Sequence, residues 1–160
     1  MKRLLIILLI IFFINSYSQC VGNQTATLTP AGPYQPGDVV TLNYTLHSFT
    51  QININWIHAF EFNLGAGWMQ NTIVTFGNPG NPGGSMGYWI WDNQHTFPSG
   101  LNFGPGWRFV HAVVANWGTN STGPFNIQLS ITVKQTCAPE DLSVSITVYG
   151  DCQTGGWFNG

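Results

Sequence analysis

The residues of this chain that stand out for their chemistry are its tryptophans. Seven occur among 160 residues, and several lie beside glycine in predicted turns, as in Gly67-Trp68 and Gly106-Trp107. A flat indole exposed on a turn can stack on the apolar face of a sugar ring, while nearby amides bind the hydroxyl groups. This pattern indicates a ligand-binding surface, whose candidate residues are Trp68, Trp89, Trp91, Asn93, Gln94, His95 and Trp107.

The same tryptophans are suited to packing, and this is the leading interpretation. A large ring buries much area with few rotamers to freeze, and glycine lets the backbone approach it closely. Trp117 and Trp157 also adjoin glycine, while Trp56 alternates with Phe60 on the predicted inner face of a strand. Under this interpretation the indoles close the ends of a β-fold.

No other residues form a recognisable catalytic or metal site. His58 and His111 fall on mainly apolar strand faces, so we expect neutral, hydrogen-bonded histidines. They lack further ligands at metal-binding spacing, and no cofactor is predicted. Glu61 and Asp92 are the one carboxylate pair that could serve in glycoside hydrolysis. Nothing in the sequence shows that the two side chains approach each other. The chain is therefore predicted not to be an enzyme.

The elements that must position these residues are β-strands. Between residues 52 and 64 the even positions, Trp56, His58 and Phe60 among them, are predicted to face a core, and the odd positions to face solvent. No stretch shows helical periodicity. The predicted strands are residues 25–29, 39–46, 52–64, 72–76, 88–91, 107–115, 125–134 and 142–149.

Glycine and proline loops join these strands, the longest being residues 77–87 and 92–106. About eight short strands in one domain predict an all-β fold, a single antiparallel β-sandwich of the immunoglobulin-like or jelly-roll-like kind. A closed barrel is the alternative.

The N-terminus reads as an export signal. Lys2 and Arg3 precede an apolar run over residues 4–14, which is too short to span a membrane, and Ser16-Tyr17-Ser18 resembles a cleavage site. We expect a signal peptide at residues 1–18 with cleavage near residues 18–20, and a β-sandwich domain at residues 19–160. The protein would then be secreted or held at the cell surface. Lipidation of Cys20 and an uncleaved anchor are the alternatives.

The charge balance excludes some partners. Removing Lys2 and Arg3 with the signal leaves two basic residues against six acidic ones, a net charge of −4. Such a surface does not attract nucleic acid or anionic lipid. The expected partners are glycans or other surface proteins.

Three cysteines accompany the predicted export, which makes a disulfide plausible. Cys137 and Cys152 flank a predicted strand that alone spans about 27 Å, so their pairing requires both flanking loops to fold back. A bond between Cys20 and Cys137 is geometrically easier. The remaining thiol would be free or would pair with another chain, so an oligomer or polymer is an open alternative.

Four stretches carry a resemblance to a known class of modules: P-Y-Q-P-G-D-V-V-T-L-N-Y-T-L (33–46), N-W-I-H-A-F-E-F-N-L-G-A-G-W (55–68), Y-W-I-W (88–91) and C-A-P-E-D-L-S-V-S-I-T-V-Y-G-D (137–151). They resemble modules of large secreted, adhesin-like surface proteins of Bacteroidetes, which occur with type IX secretion or gliding-motility-associated sorting domains. The resemblance spans about residues 25–158. It implies surface attachment and assembly, and it supplies no catalytic residues.

The resemblance also bears on one cross-strand contact. Related modules carry cysteines in the two strands where this chain has Asn43 and Gln128, so the resemblance implies an amide pair in place of a disulfide. The function predicted from the sequence is a non-catalytic extracellular β-sandwich in cell-surface adhesion or surface structure. The alternative is a carbohydrate-binding module that uses exposed tryptophans.

Overall fold

The computed structural model describes residues 23–49, 56–97, 100–114, 116–136 and 139–151. In that part the chain forms β-strands and one short 3-10 helix. The elements are β1 (Gln24–Thr29), β2 (Val39–Leu46), β3 (Ile57–Leu64), β4 (Trp68–Thr75), β5 (Gly87–Asp92), β6 (His95–Thr96), β7 (Asn102–Phe103), β8 (Gly106–His111), β9 (Phe125–Val133), the 3-10 helix (Pro139–Leu142) and β10 (Val144–Gly150).

The long strands form two antiparallel sheets. The first sheet has the order β1-β2-β9-β4, the second has the order β10-β3-β8-β5, and β6 and β7 form a separate small hairpin. Ring contacts join the sheets face to face, since the Phe60 centroid of β3 lies 6.3 Å from Tyr44 of β2 and 5.5 Å from Phe125 of β9. The predicted all-β sandwich is confirmed, and the sheets do not close into a barrel.

Period-two patterning explains the first sheet directly. β2 and β9 pair in unbroken register, with Leu42 opposite Leu129. Their alternate side chains form the core on one side, while the intervening polar residues lie toward solvent. The buried hydrophobic residues of the two strands are Val40, Leu42, Tyr44, Leu46, Phe125, Ile127, Leu129, Ile131 and Val133, and Ser130 is buried as well.

The outer face of this sheet carries the amide pair inferred at residues 43 and 128. Asn43 and Gln128 are opposite one another in the register of β2 and β9. Gln128 Nε2 donates a hydrogen bond of 2.8 Å to Asn43 Oδ1. The disulfide candidates Cys20, Cys137 and Cys152 lie outside the described residues.

The prediction for β3 was partly wrong. The described strand begins at Ile57, and residues 52–55 lie outside the described part. Ile57 was predicted to face solvent but is fully buried in the main core with Phe60. The cause is a bulge: Ala59 pairs with Tyr149 and Ile57 with Gly150, which leaves His58 as the extra residue and reverses the alternation.

Trp56 also departs from its predicted place beside Phe60 on an inner strand face. It precedes β3 and is half-buried, with its ring 6.1 Å from His111 and 5.6 Å from Trp117. It therefore closes one end of the sandwich, as the packing interpretation of the indoles expects.

Several boundaries differ from the predicted ones. β4 starts directly after the Gly-containing turn at Trp68 instead of at residue 72, and its register with β9 breaks between Met69 and Val74. β8 ends at His111, short of the predicted 115. β10 begins at Val144 because the 3-10 helix takes up the preceding residues.

The predicted loop at residues 92–106 is more ordered than expected. Part of it forms the β6–β7 hairpin, which folds back over the outer face of the second sheet. There Phe103 is buried with Ala59 and Tyr149 in a second apolar cluster, with Phe97 and Leu101 packed against it. We call residues 93–105 the flap; the structure describes them except for residues 98 and 99.

Candidate functional site

Three of the four tryptophans in the predicted ligand surface are buried. Trp68, Trp89 and Trp107 are 1%, 6% and 8% exposed. The Trp68 indole N–H donates to the Ser143 carbonyl at 3.1 Å, and the Trp89 indole N–H donates to the Gly80 carbonyl at 2.8 Å. Buried indoles of this kind serve as packing groups with their polar atom satisfied.

Trp91 is the fourth candidate, and it remains half-buried. Its ring packs 5.8 Å from Phe62 and 5.7 Å from Trp107, and its indole N–H donates to Asn93 Oδ1 at 3.1 Å. Asn93 and Gln94 follow in the chain and are exposed. The structure thus brings Trp91, Trp107 and the two amides together, but only Trp91 retains ring surface for a ligand.

His95, the last candidate, lies on the flap instead of beside the indoles. Its ring is half-buried and contacts Phe97 at 5.3 Å. Burial is the main reason that its pKa is lowered, and the positive charge of Arg108 adds to the effect. The predicted set is therefore divided between the sandwich core, where the four indoles pack, and the flap, which carries Asn93, Gln94 and His95.

Glu61 and Asp92 lie in one row of the second sheet. Each pairs with Gly106 from opposite sides, so two strand spacings, about 10 Å, separate their Cα atoms. Glu61 accepts hydrogen bonds from the Gly104 N–H at 3.0 Å and the Tyr149 hydroxyl at 2.5 Å. Asp92 accepts one from Arg108 Nε at 2.8 Å. Both carboxylates thus hold structural partners, Glu61 fixing the flap and Asp92 joining β5 to β8.

Burial also shifts the pKa values of Tyr149 and His58, two side chains that contact Phe97 of the flap. The pKa of Tyr149 is raised, first by burial and then by the adjacent Glu61 carboxylate. Burial lowers the pKa of His58 to about 4, and the positive charges of Arg108 and His95 act in the same direction. A hydrogen bond with the Trp117 backbone and the charge of Asp151 oppose that shift.

His58 is buried, but it packs against Phe97 of the flap and not on the inner face with Phe60 that its position predicts, while His111 is half-buried at the end of β8. His58 is 4% exposed, and its Nδ1 has no hydrogen-bond partner within the described part of the chain. His111 Nδ1 accepts from the backbone N–H groups of Val113 and Val114, both at 3.2 Å, and so fixes the turn after β8. Among the described residues no group of three or more His, Cys, Asp or Glu side chains is placed to hold a metal ion.

The described surface carries a groove between β1 and β10. These are edge strands of different sheets, and they lie on the same side of the sandwich. The groove has a volume of about 440 Å³ and reaches inward to Leu42 and Tyr44 of β2. None of the described residues that line it is charged; they are Gln24, Thr25, Ala26, Thr27, Leu28, Leu42, Tyr44, Val144, Ser145 and Ile146.

One polar contact of the groove is internal, and its deepest side chains are apolar or aromatic. The Tyr44 hydroxyl donates to Gln24 Oε1 at 2.8 Å, and burial raises the pKa of Tyr44 to about 12, so the phenol stays neutral. Leu28, Val144 and Ile146 are partly buried against the main core. The groove is therefore an uncharged opening of mixed polar and apolar lining, flanked by two strand edges.

The opposite side of the sandwich is covered. There residues 77–86 cross from the first sheet to the second, because the Pro79 carbonyl accepts from the Asn126 N–H of β9 and the Gly80 carbonyl accepts from Trp89 of β5. The sequence analysis did not single out the groove. Its one local signal is the absence of charge in β1 and β10, and only the fold places those two strands side by side.

Comparison of the chain with models of known protein families, with curated proteins and with solved structures found no match in any of the three. Within the described residues, no helix has the length and apolar character needed to cross a membrane.

Proposed function

We propose that this chain is a non-catalytic β-sandwich module that acts outside the cell in adhesion or cell-surface structure. The observation that carries the proposal is the uncharged groove between β1 and β10. Two edge strands beside an uncharged opening suit attachment to another polypeptide through backbone hydrogen bonds and side-chain pockets.

The hydrogen bonds of the Glu61 and Asp92 carboxylates support the non-catalytic part of the proposal. A glycoside hydrolase needs one carboxyl group as an acid and a second as a base or nucleophile, both facing the substrate. Here Glu61 bonds to Gly104 and Tyr149, and Asp92 bonds to Arg108. Each carboxylate is thus engaged in holding the fold together.

The adhesive role can be tested by displaying the chain on a non-adherent bacterial host. We expect several-fold more attachment of cells to glass or to one another than for the host alone. A Leu129→Asp variant displayed at equal density is the control, because a charge in the core abolishes folding. Attachment by the folded chain no greater than that by the control would contradict the proposal.

The alternative function is carbohydrate binding, and the half-exposed Trp91 ring beside Asn93 and Gln94 is what favours it. A glycan array probed with the wild-type chain and with Asn93→Ala and Gln94→Ala tests this; Gln94→Ala alters an exposed amide alone, whereas Asn93→Ala also removes the hydrogen bond that holds the Trp91 indole. Binding of a glycan that both variants lose would support the alternative. If no glycan on the array binds the wild-type chain, the carbohydrate-binding alternative is wrong.

A further inference from the structure

The groove between β1 and β10 lacks the features that keep edge strands from pairing with other chains. Natural edges carry charged residues, proline or bulges that block such pairing. β1 reads Gln-Thr-Ala-Thr-Leu-Thr and β10 reads Val-Ser-Ile-Thr-Val-Tyr-Gly, without a charge or a proline. β1 pairs with β2 over all six of its residues, and β10 is regular from Val144 to Tyr149. Among the described strands, none pairs with the outer edge of β1 or of β10, so both edges can accept a further strand.

The position of the two edges determines which partner fits. They lie level with one another on the same side of the sandwich, since residues of both strands line one groove. A two-fold axis perpendicular to the sheets would place β1 beside β1 of a second copy and β10 beside β10 of that copy. Both new pairs are antiparallel, because such an axis reverses the strand direction.

We propose that the groove is the interface of a symmetric dimer in which both sheets continue from one copy into the other. Leu28, Val144 and Ile146 of the two copies would then close the opening above Leu42 and Tyr44. The net charge of the mature chain does not oppose this contact, because the groove itself is uncharged and brings no like charges together. The inference rests on the proposed function and names the partner as a second copy of the chain.

Sedimentation equilibrium of the secreted chain over a wide concentration range tests the inference. Reductant is present, so that cysteine cross-links do not contribute to the measured mass. We expect a reversible dimer. Thr27→Lys and Ser145→Lys each add a charge to one exposed wall of the groove. Each should raise the dimer dissociation constant at least about tenfold, since the two-fold axis brings the new lysine close to its symmetry mate.

The matched control is Asn71→Lys, which adds the same charge to an exposed residue of β4, the edge strand on the other side of the first sheet. It should leave the dissociation constant unchanged. Circular dichroism checks that the three variants fold. A wild-type chain that stays monomeric overturns the inference, as it would if the groove were filled by a terminal segment or by a different protein. Equal weakening by all three variants, or by none, also overturns it.

The two proposals fail separately. If the wild-type chain is monomeric but its display still promotes attachment, the surface role stands and the dimer is wrong. If the dimer forms but display does not promote attachment, the surface role fails and the interface stands.

Discussion

At the residue scale, His58 shows how burial sets the chemistry of one side chain. The residue is 4% exposed, its ring packs 5.2 Å from Phe97 of the flap, and no described residue partners Nδ1 to stabilise a bound proton. Arg108 and His95 add positive charge nearby, while Asp151 is the carboxylate that partly offsets them. The neutral ring is therefore strongly favoured in the folded protein.

We predict that stability falls as the pH is lowered from 6.5 to about 4. In this window the unfolded chain protonates His58, whose usual pKa is 6.5, whereas the folded chain, with a pKa of about 4, does not. The unfolded state thus binds more protons, and the free energy of unfolding decreases by roughly 3 kcal/mol across the window. The contribution is fully present above pH 6.5. Urea unfolding at a series of pH values measures it.

A His58→Gln variant should lose most of this pH dependence, since glutamine does not titrate. His47→Gln is the matched control, because His47 is exposed in the structure. Equal slopes of unfolding free energy against pH in the wild type and His58→Gln would show that another group causes the effect.

The Tyr149 hydroxyl makes a second prediction at this scale. Tyr149→Phe keeps the ring in the second apolar cluster but removes the hydrogen bond to Glu61. We expect a loss of about 1–2 kcal/mol in unfolding free energy, since the acceptor is a carboxylate in a partly buried position. Faster hydrogen exchange at the Gly104 N–H should accompany it, because that group donates to the same carboxylate. Tyr88→Phe, at an exposed tyrosine, should change neither measurement.

At the scale of elements, the flap depends on a glycine in the strand beneath it. Gly106 of β8 lies between β3 and β5, and the flap residue Phe103 packs over it. A Cβ atom there would lie 2.2 Å from the Phe60 carbonyl oxygen and 2.8 Å from the Phe103 ring. The backbone oxygen is fixed in the sheet, so it cannot move aside.

Gly106→Ala should therefore destabilise the protein by about 3 kcal/mol through overpacking. The midpoint and slope of a urea transition measure the loss. Gly32→Ala is the control, since the nearest atom to an added Cβ there is 3.5 Å away, an ordinary contact. A Gly106→Ala protein as stable as the wild type would mean that the flap and β3 are more loosely packed than the structure has them.

How far an element could be predicted depended on whether its pattern was local. β2 and β9 have the bounds and inner faces that alternation predicts, to within one residue, because each strand shows one polar and one apolar face. β3 does not have its predicted inner face, because its bulge at His58 arises from pairing with β10. The partner residues in β10 are about ninety positions away in the chain. The β6–β7 hairpin was missed because its strands are two residues long.

At the scale of the whole molecule, aromatic rings hold the two sheets together. Phe60 of the second sheet contacts Tyr44 and Phe125 of the first, and it also packs 5.4 Å from Trp89. The packing is continuous through these rings, so that the sandwich should unfold as one cooperative unit.

Phe60→Ala should cost about 4 kcal/mol of unfolding free energy, because it leaves a cavity between the sheets. Chemical denaturation followed by tryptophan fluorescence measures this loss. Phe76→Ala is the control, since Phe76 is 50% exposed and its truncation opens no cavity. Similar losses in the two variants would contradict a core centred on Phe60.

The sequence by itself determined the fold class and the inner faces of the most regular strands, because alternation of apolar and polar residues is a local property that the sheet must satisfy. It also determined that the segments forming β1 and β10 carry no charged residue. Tertiary structure alone decided which indoles are buried, that Glu61 meets Tyr149, and that β1 lies beside β10. Each of these depends on contacts between distant residues, such as Trp68 with Ser143, which no short stretch of sequence encodes.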